Sequence, residues 1–140
     1  MKKIILVFVS ILFLTGCSDK KLNYDNVYNN LKDEYKDFIK LDKDTIEGVY
    51  GVDTTLFDSY IVVTSDDKVD SRMYAIFETK TEEGEYEADY FMDIYQDTWL
   101  TGYFPEQEKL VKKYKKEEFG NYIIYVVNED TSKIIKKIKE

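Results

Sequence analysis

Apolar residues recur at helical spacing over residues 24–39. Tyr24, Val27, Tyr28, Leu31, Tyr35, Phe38 and Ile39 make one side, and Asn29, Asn30, Lys32, Asp33, Lys36 and Asp37 the other. That pattern predicts a first amphipathic helix. A helical turn over residues 45–50 ends at Gly51, a residue suited to the left-handed position after a helix. The period then changes. Tyr60-Ile61-Val62-Val63-Thr64 and Met73-Tyr74-Ala75-Ile76-Phe77 are β-branched and aromatic runs with polar turn residues between them, so they read as a hairpin. A helix is expected over residues 85–100, stopped by Gly102 and kept from resuming by Pro105. Residues 110–116 alternate weakly and read as a strand, and residues 118–121 as a turn. Residues 122–127 are the strongest strand pattern in the chain. Asp130 suits the N-cap of a last helix that turns Ile134, Ile135 and Ile138 inward.

The order after the first helix is strand-strand-helix, twice over. This implies an α+β fold in which an N-terminal helix precedes two strand-strand-helix units. The units would form a four-stranded antiparallel sheet with helices on one face. No Pro/Ser-rich linker divides the chain, so a single domain is expected over residues 23–140.

The first residues have a different character. Lys2 and Lys3 precede an apolar stretch of eleven residues, Ile4 to Leu14, broken only by Ser10. A bilayer-spanning helix needs about twenty, whereas this length fits a secretory signal peptide. The stretch ends in Leu14-Thr15-Gly16-Cys17, which resembles the bacterial lipobox. The resemblance implies that residues 1–16 are removed and that Cys17 carries a diacylglyceryl group. Two acyl chains hold a protein stably where one is marginal. The expected address is therefore the extracytoplasmic face of the cell membrane. Residues 18–22 complete a tether of at most about 17 Å.

Charge and composition then exclude several classes. The formal net charge is −8, and residues 41–100 hold sixteen acids against four basic residues. Phosphate backbones repel such a chain, so no nucleic-acid partner is expected. Without histidine and with one cysteine, it has no disulfide, no Cys/His zinc site and no histidine triad. Asp66, Asp67 and Asp70 lack the EF-hand pattern and suit turn chemistry. No metal or cofactor is therefore expected. Lys112, Lys113, Lys115 and Lys116 surround Tyr114, either as a charge-protected edge strand or as a seat for an anionic ligand.

The central helix carries the candidate binding face. Ala88, Phe91, Met92, Ile94, Tyr95 and Trp99 form its apolar side. Asp89, Asp93 and Asp97 form a ridge opposite, flanked by Tyr86 and Tyr90, and no lysine on that helix compensates them. Rings beside carboxylates suit a basic partner protein, a cationic group or a sugar. A solvated acidic face is the alternative. The expected role is non-catalytic binding of a protein partner or envelope component. A small-ligand or glycan-binding module is the second reading. A carboxylate-based hydrolase is the third, since paired acids about 5–9 Å apart can do glycosidase work.

Tyr50-Gly51-Val52-Asp53, Ala75-Ile76-Phe77, Tyr103-Phe104-Pro105-Glu106-Gln107 and Gly120-Asn121-Tyr122 follow the lipobox in order. This arrangement resembles a family of small lipoproteins of Gram-positive, clostridia-like bacteria that share a domain of unknown function. The resemblance runs from about Asp44 to Ile138 and implies a fold and an address, but no catalytic residue. The chain departs from the family pattern at Met73 and Tyr74, where an acidic residue is usual. It departs again at Asp89, Asp93 and Asp97, where basic residues are usual.

Overall fold

The computed structural model describes residues 21–140. The leader, Cys17 and most of the tether lie outside the described residues. Helix α1 (Tyr24–Asn30) is capped by Asn23, whose side chain accepts from the Asn26 N–H. Strand β1 (Phe38–Lys40) follows, then α2 (Lys43–Tyr50), capped by Asp42 and closed by Gly51 at φ 67°. A 3-10 turn, Thr54–Leu56, leads into β2 (Ser59–Ser65) and β3 (Met73–Glu78). Then come α3 (Glu82–Trp99), α4 (Pro105–Lys112), β4 (Lys115–Phe119), β5 (Tyr122–Val127) and α5 (Thr131–Lys139).

The α+β class holds, with five strands where four were expected. The sheet order is β1-β2-β3-β5-β4, and every neighbouring pair is antiparallel. The fifth strand comes from the segment expected to be the end of the first helix. Leu31, Tyr35 and Phe38 are buried as their spacing required. The helix nevertheless ends at Asn30. Turns carry the chain to Asp37, which sits at φ 63°, a left-handed conformation that Asp tolerates better than most residues. Residues 38–40 then pair along β2, Ile39 opposite Thr64.

Helices cover both faces of the sheet rather than one. Strands β3 and β5 are central and buried at every position. Strands with no polar side must be covered on both sides. On one face Met73, Ala75, Phe77, Ile123 and Tyr125 meet Ile46 of α2, Ala88, Phe91 and Met92 of α3, and Val111 of α4. On the other, Tyr74, Ile76, Ile124 and Val126 meet Val27, Leu31, Ile134, Ile135 and Ile138.

The segment around residue 110 also differs from its expected strand. Pro105 opens a helix instead of forbidding one, because its missing N–H is unneeded at the first helical position. The strand begins only at Lys115 and forms the sheet edge. Helix α3 starts at Glu82, three residues earlier than expected. Thr81 caps it by accepting from the Gly84 N–H, and Glu82, Glu83 and Glu85 suit the positive end of the helix dipole.

Candidate functional site

On α3, Ala88, Phe91, Met92 and Tyr95 are in the core as their spacing implied, while Ile94 and Trp99 of the same expected side are half-buried. Tyr86 is 74% exposed and Tyr90 45%, and Asp93 and Asp97 face solvent. Asp89 stands apart from them. It accepts a hydrogen bond from Tyr125 Oη at 2.5 Å and from Lys116 Nζ at 2.8 Å. The compensating cation that α3 lacks therefore comes from β4. Burial and the neighbouring Asp89 charge push the Tyr125 hydroxyl far above its ordinary pKa, so it remains a proton donor.

A groove lies at the C-terminal end of the same helix, between α2, the β2–β3 turn and the loop after α3. Its volume is about 570 Å³. Tyr50, Tyr95, Trp99 and Phe104 supply its aromatic surface, and Asp66, Asp67 and Asp70 line it with carboxylates, beside one cation, Lys68. Tyr50 stacks on Tyr95 with ring centroids 6.4 Å apart, and Trp99 meets Phe104 edge-on at 6.3 Å. Burial raises the Tyr50 hydroxyl pKa and raises that of Tyr95 much further.

Three contacts hold this groove in shape. Tyr95 Oη donates to the Ser71 carbonyl at 2.7 Å. The Ser71 N–H and hydroxyl both donate to Gln107 Oε1 at 2.8 Å, which ties the β2–β3 turn to α4. Arg72 grips Asp70 through Nε and Nη2, the latter 2.6 Å from Oδ2. Burial opposes ionisation of Asp70, but the Arg72 hydrogen bonds and charge outweigh it and hold its pKa below the ordinary value. Of the residues that line the groove, Val49 and Phe104 are exposed apolar groups, by 67% and 40%.

Sequence reasoning missed the groove because no single segment contains it. The available signal was Phe104 beside the only proline, which no periodicity placed in the core, five residues after Trp99 at the end of the helical apolar side. The turn reading of the hairpin aspartates fits the geometry. Asp67 accepts from the Val69 N–H, and Asp70 from the Arg72 N–H, at 3.1 Å each. Among the described residues no group of three acidic or cysteine side chains could hold a metal ion.

No helix of the described residues is long and apolar enough to cross a membrane. Residues 1–18 match the prokaryotic membrane lipoprotein lipid attachment site, which makes the chain a membrane-anchored lipoprotein. No curated protein and no solved structure matches the chain. Residues 31–128 match the model of a domain of unknown function, DUF4358, and the chain belongs to that family.

Proposed function

We propose that this chain is an extracytoplasmic lipoprotein of a Gram-positive, clostridia-like envelope. Its domain binds a protein partner or envelope component and catalyses no reaction. The observation that carries the reading is the groove, with aromatic walls, three aspartates in its lining and the exposed apolar side chains of Val49 and Phe104. Contiguous exposed apolar groups mark interaction surfaces. Aromatic clusters anchor protein interfaces, and rings beside carboxylates favour a cationic group. The outward side of α3 extends this surface through Asp97, Asp93 and Tyr90 toward Asp89 and Tyr86.

The state of the carboxylates supports a non-catalytic role. Asp70 is clamped by Arg72, Glu78 pairs with Lys21, and Glu34 pairs with Lys133 and Lys137. General acid catalysis at neutral pH needs a raised carboxyl pKa. These three are lowered, against burial, by hydrogen bonds and lysine or arginine charge.

Photo-crosslinking from position 98 in the native bacterium tests the reading. A discrete adduct is expected, abolished by Trp99→Ala and weakened by Asp93→Lys while the fold is retained. An adduct pattern indifferent to Trp99→Ala sinks the groove as the binding site.

The volume favours a second reading, a small ligand or glycan, since pockets of about 300–1,000 Å³ suit such molecules. A ligand at one hundred times its dissociation constant adds about 2.7 kcal/mol, several degrees in Tm at this size. A shift with wall fragments would favour this reading over a protein partner.

A further inference from the structure

Three contacts fasten the start of the described chain to one end of the sheet. Lys21 Nζ lies 2.9 Å from Glu78 Oε2, and the Leu22 N–H donates to Tyr122 Oη at 3.0 Å. Tyr24 Oη and Ser59 Oγ share a hydrogen bond at 2.7 Å. Ser59 is opposite Glu78 and Glu78 opposite Tyr122, so the three acceptor positions form one row across β2, β3 and β5. Glu78 is buried, with its side chain 7% exposed, and it also accepts from Ser59 Oγ at 2.9 Å. The attachment is thus built into the sheet and is not a loose surface contact.

The groove lies at the opposite end. Strand β3 runs from Met73, just past the groove residues Asp66 and Asp70, to Glu78 in the attachment row. Helix α3 makes the return journey, from Glu82 beside that row to Trp99 in the groove wall. Its eighteen residues cover about 27 Å at 1.5 Å per residue.

Four residue steps separate Cys17 from Lys21, at most about 15 Å of chain. That is too short to run from the groove end past the attachment row. The geometry points to a fixed orientation. The lipid-anchored domain rests on the bilayer headgroups with the Ser59–Glu78–Tyr122 end of its sheet and the β4–β5 turn, and holds the groove away from the membrane. At this end, on the α1–α5 side, a recess of about 470 Å³ is edged by Lys21, Asn23, Asn26 and Lys139, with Glu140 the one carboxylate in its lining. Lys21 and Lys139 are ion-paired with Glu78 and Glu117, so the donors left for headgroup phosphates are their remaining ammonium N–H groups and the side-chain amides of Asn23 and Asn26. The acids Glu82, Glu83 and Glu85 begin α3 on the other side of the sheet and tilt the α1–α5 side toward an anionic surface. The inference needs the lipid at Cys17, not a ligand in the groove, so it stands or falls separately from the binding reading.

The test uses the full lipidated chain in vesicles of phosphatidylethanolamine and phosphatidylglycerol that carry a nitroxide on the headgroup. Acylation blocks the Cys17 thiol, so Asn121→Cys and Asp97→Cys each offer a single thiol for a fluorophore. Both positions are exposed. Trp99 is the only tryptophan and reports from the groove without any substitution. Quenching several-fold stronger at position 121 than at position 97, with Trp99 little affected, is the expected result. Equal quenching at the two positions, or strong quenching of Trp99, would overturn the orientation. Trp99 alone decides it should either labelled variant fail to fold.

Discussion

Ser71 and Gln107 form a two-donor clasp. The backbone N–H and the hydroxyl of Ser71 both reach Oε1 of Gln107, 36 residues on, at 2.8 Å. Ser71 is fully buried, and its carbonyl accepts from Tyr95, so water can replace none of the three bonds easily. An unpaired buried donor costs about 1–3 kcal/mol. Gln107→Leu should therefore destabilise the domain by about 2–4 kcal/mol in urea unfolding. Gln107→Glu keeps the acceptor and should lose much less. Similar losses for the two variants would mean that packing, not the clasp, is what Gln107 contributes.

The features that local chemistry decides were legible in the sequence. Gly51 does adopt φ 67° after α2, and the Asp130 side chain does accept from the Lys133 N–H at 3.1 Å. Ile134, Ile135 and Ile138 are buried because one face of α5 must be. The misses are non-local. Residues 31–39 keep a helical period, and turns bury Leu31, Tyr35 and Phe38 as well as a helix would, while Ile39, expected on the same side, is exposed. Only the free edge of β2 decides that Phe38 to Lys40 become a strand. Around Pro105 a single residue type permits both a stop and a start, and the pairing of β4 with β5 sets where the strand begins. The groove is the extreme case. Tyr50, Asp66 and Trp99 belong to three elements that meet only once the sheet exists.

Two glycines should respond to alanine with opposite signs. At Gly84 an added Cβ would collide with Thr79 Oγ1, lie 2.7 Å from Thr79 Cβ, and lie 2.8 Å from the Leu56 carbonyl oxygen, which is backbone and cannot yield. Overpacking of that kind costs about 1–3 kcal/mol or more. Gly48 lies inside α2 with nothing within 4 Å of its Cβ position. Gly48→Ala should stabilise by about 0.5–1 kcal/mol through helix propensity. Thermal unfolding of the two variants checks both signs, and a stabilising Gly84→Ala would mean that α3 docks with more slack than its start suggests.

Asp89 and Asp93 are one helical turn apart and should behave differently. Asp89→Ala leaves the Tyr125 hydroxyl and Lys116 without their acceptor, a loss of about 1–2 kcal/mol. Asp93 is exposed, and Asp93→Lys removes a like-charge contact with Asp89 and Asp97. Stability should change by no more than about 0.5 kcal/mol there, while capture of a basic partner weakens. If Asp93→Lys leaves partner capture unchanged, the outward face of α3 takes no part in binding.

Acid should weaken the fold in part through Asp70. Its folded pKa lies below the ordinary value because Arg72 grips both carboxylate oxygens, despite the opposing effect of burial. A depressed folded pKa adds stability that is complete above the unfolded value of about 3.9. That stability disappears as the pH falls through the lower folded value. Arg72→Met removes the charge but keeps much of the side-chain contact over Phe38, where the guanidinium carbon sits 5.3 Å from the ring centroid. Both partners are partly solvent-screened, so the loss at pH 7 should be about 1 kcal/mol. The gap in Tm between the native chain and Arg72→Met should therefore be open at pH 7 and narrow progressively as the pH falls below the unfolded carboxyl value of about 3.9. A gap that stays constant with pH would assign the contribution of Arg72 to its packing on Phe38 rather than to its charge on Asp70.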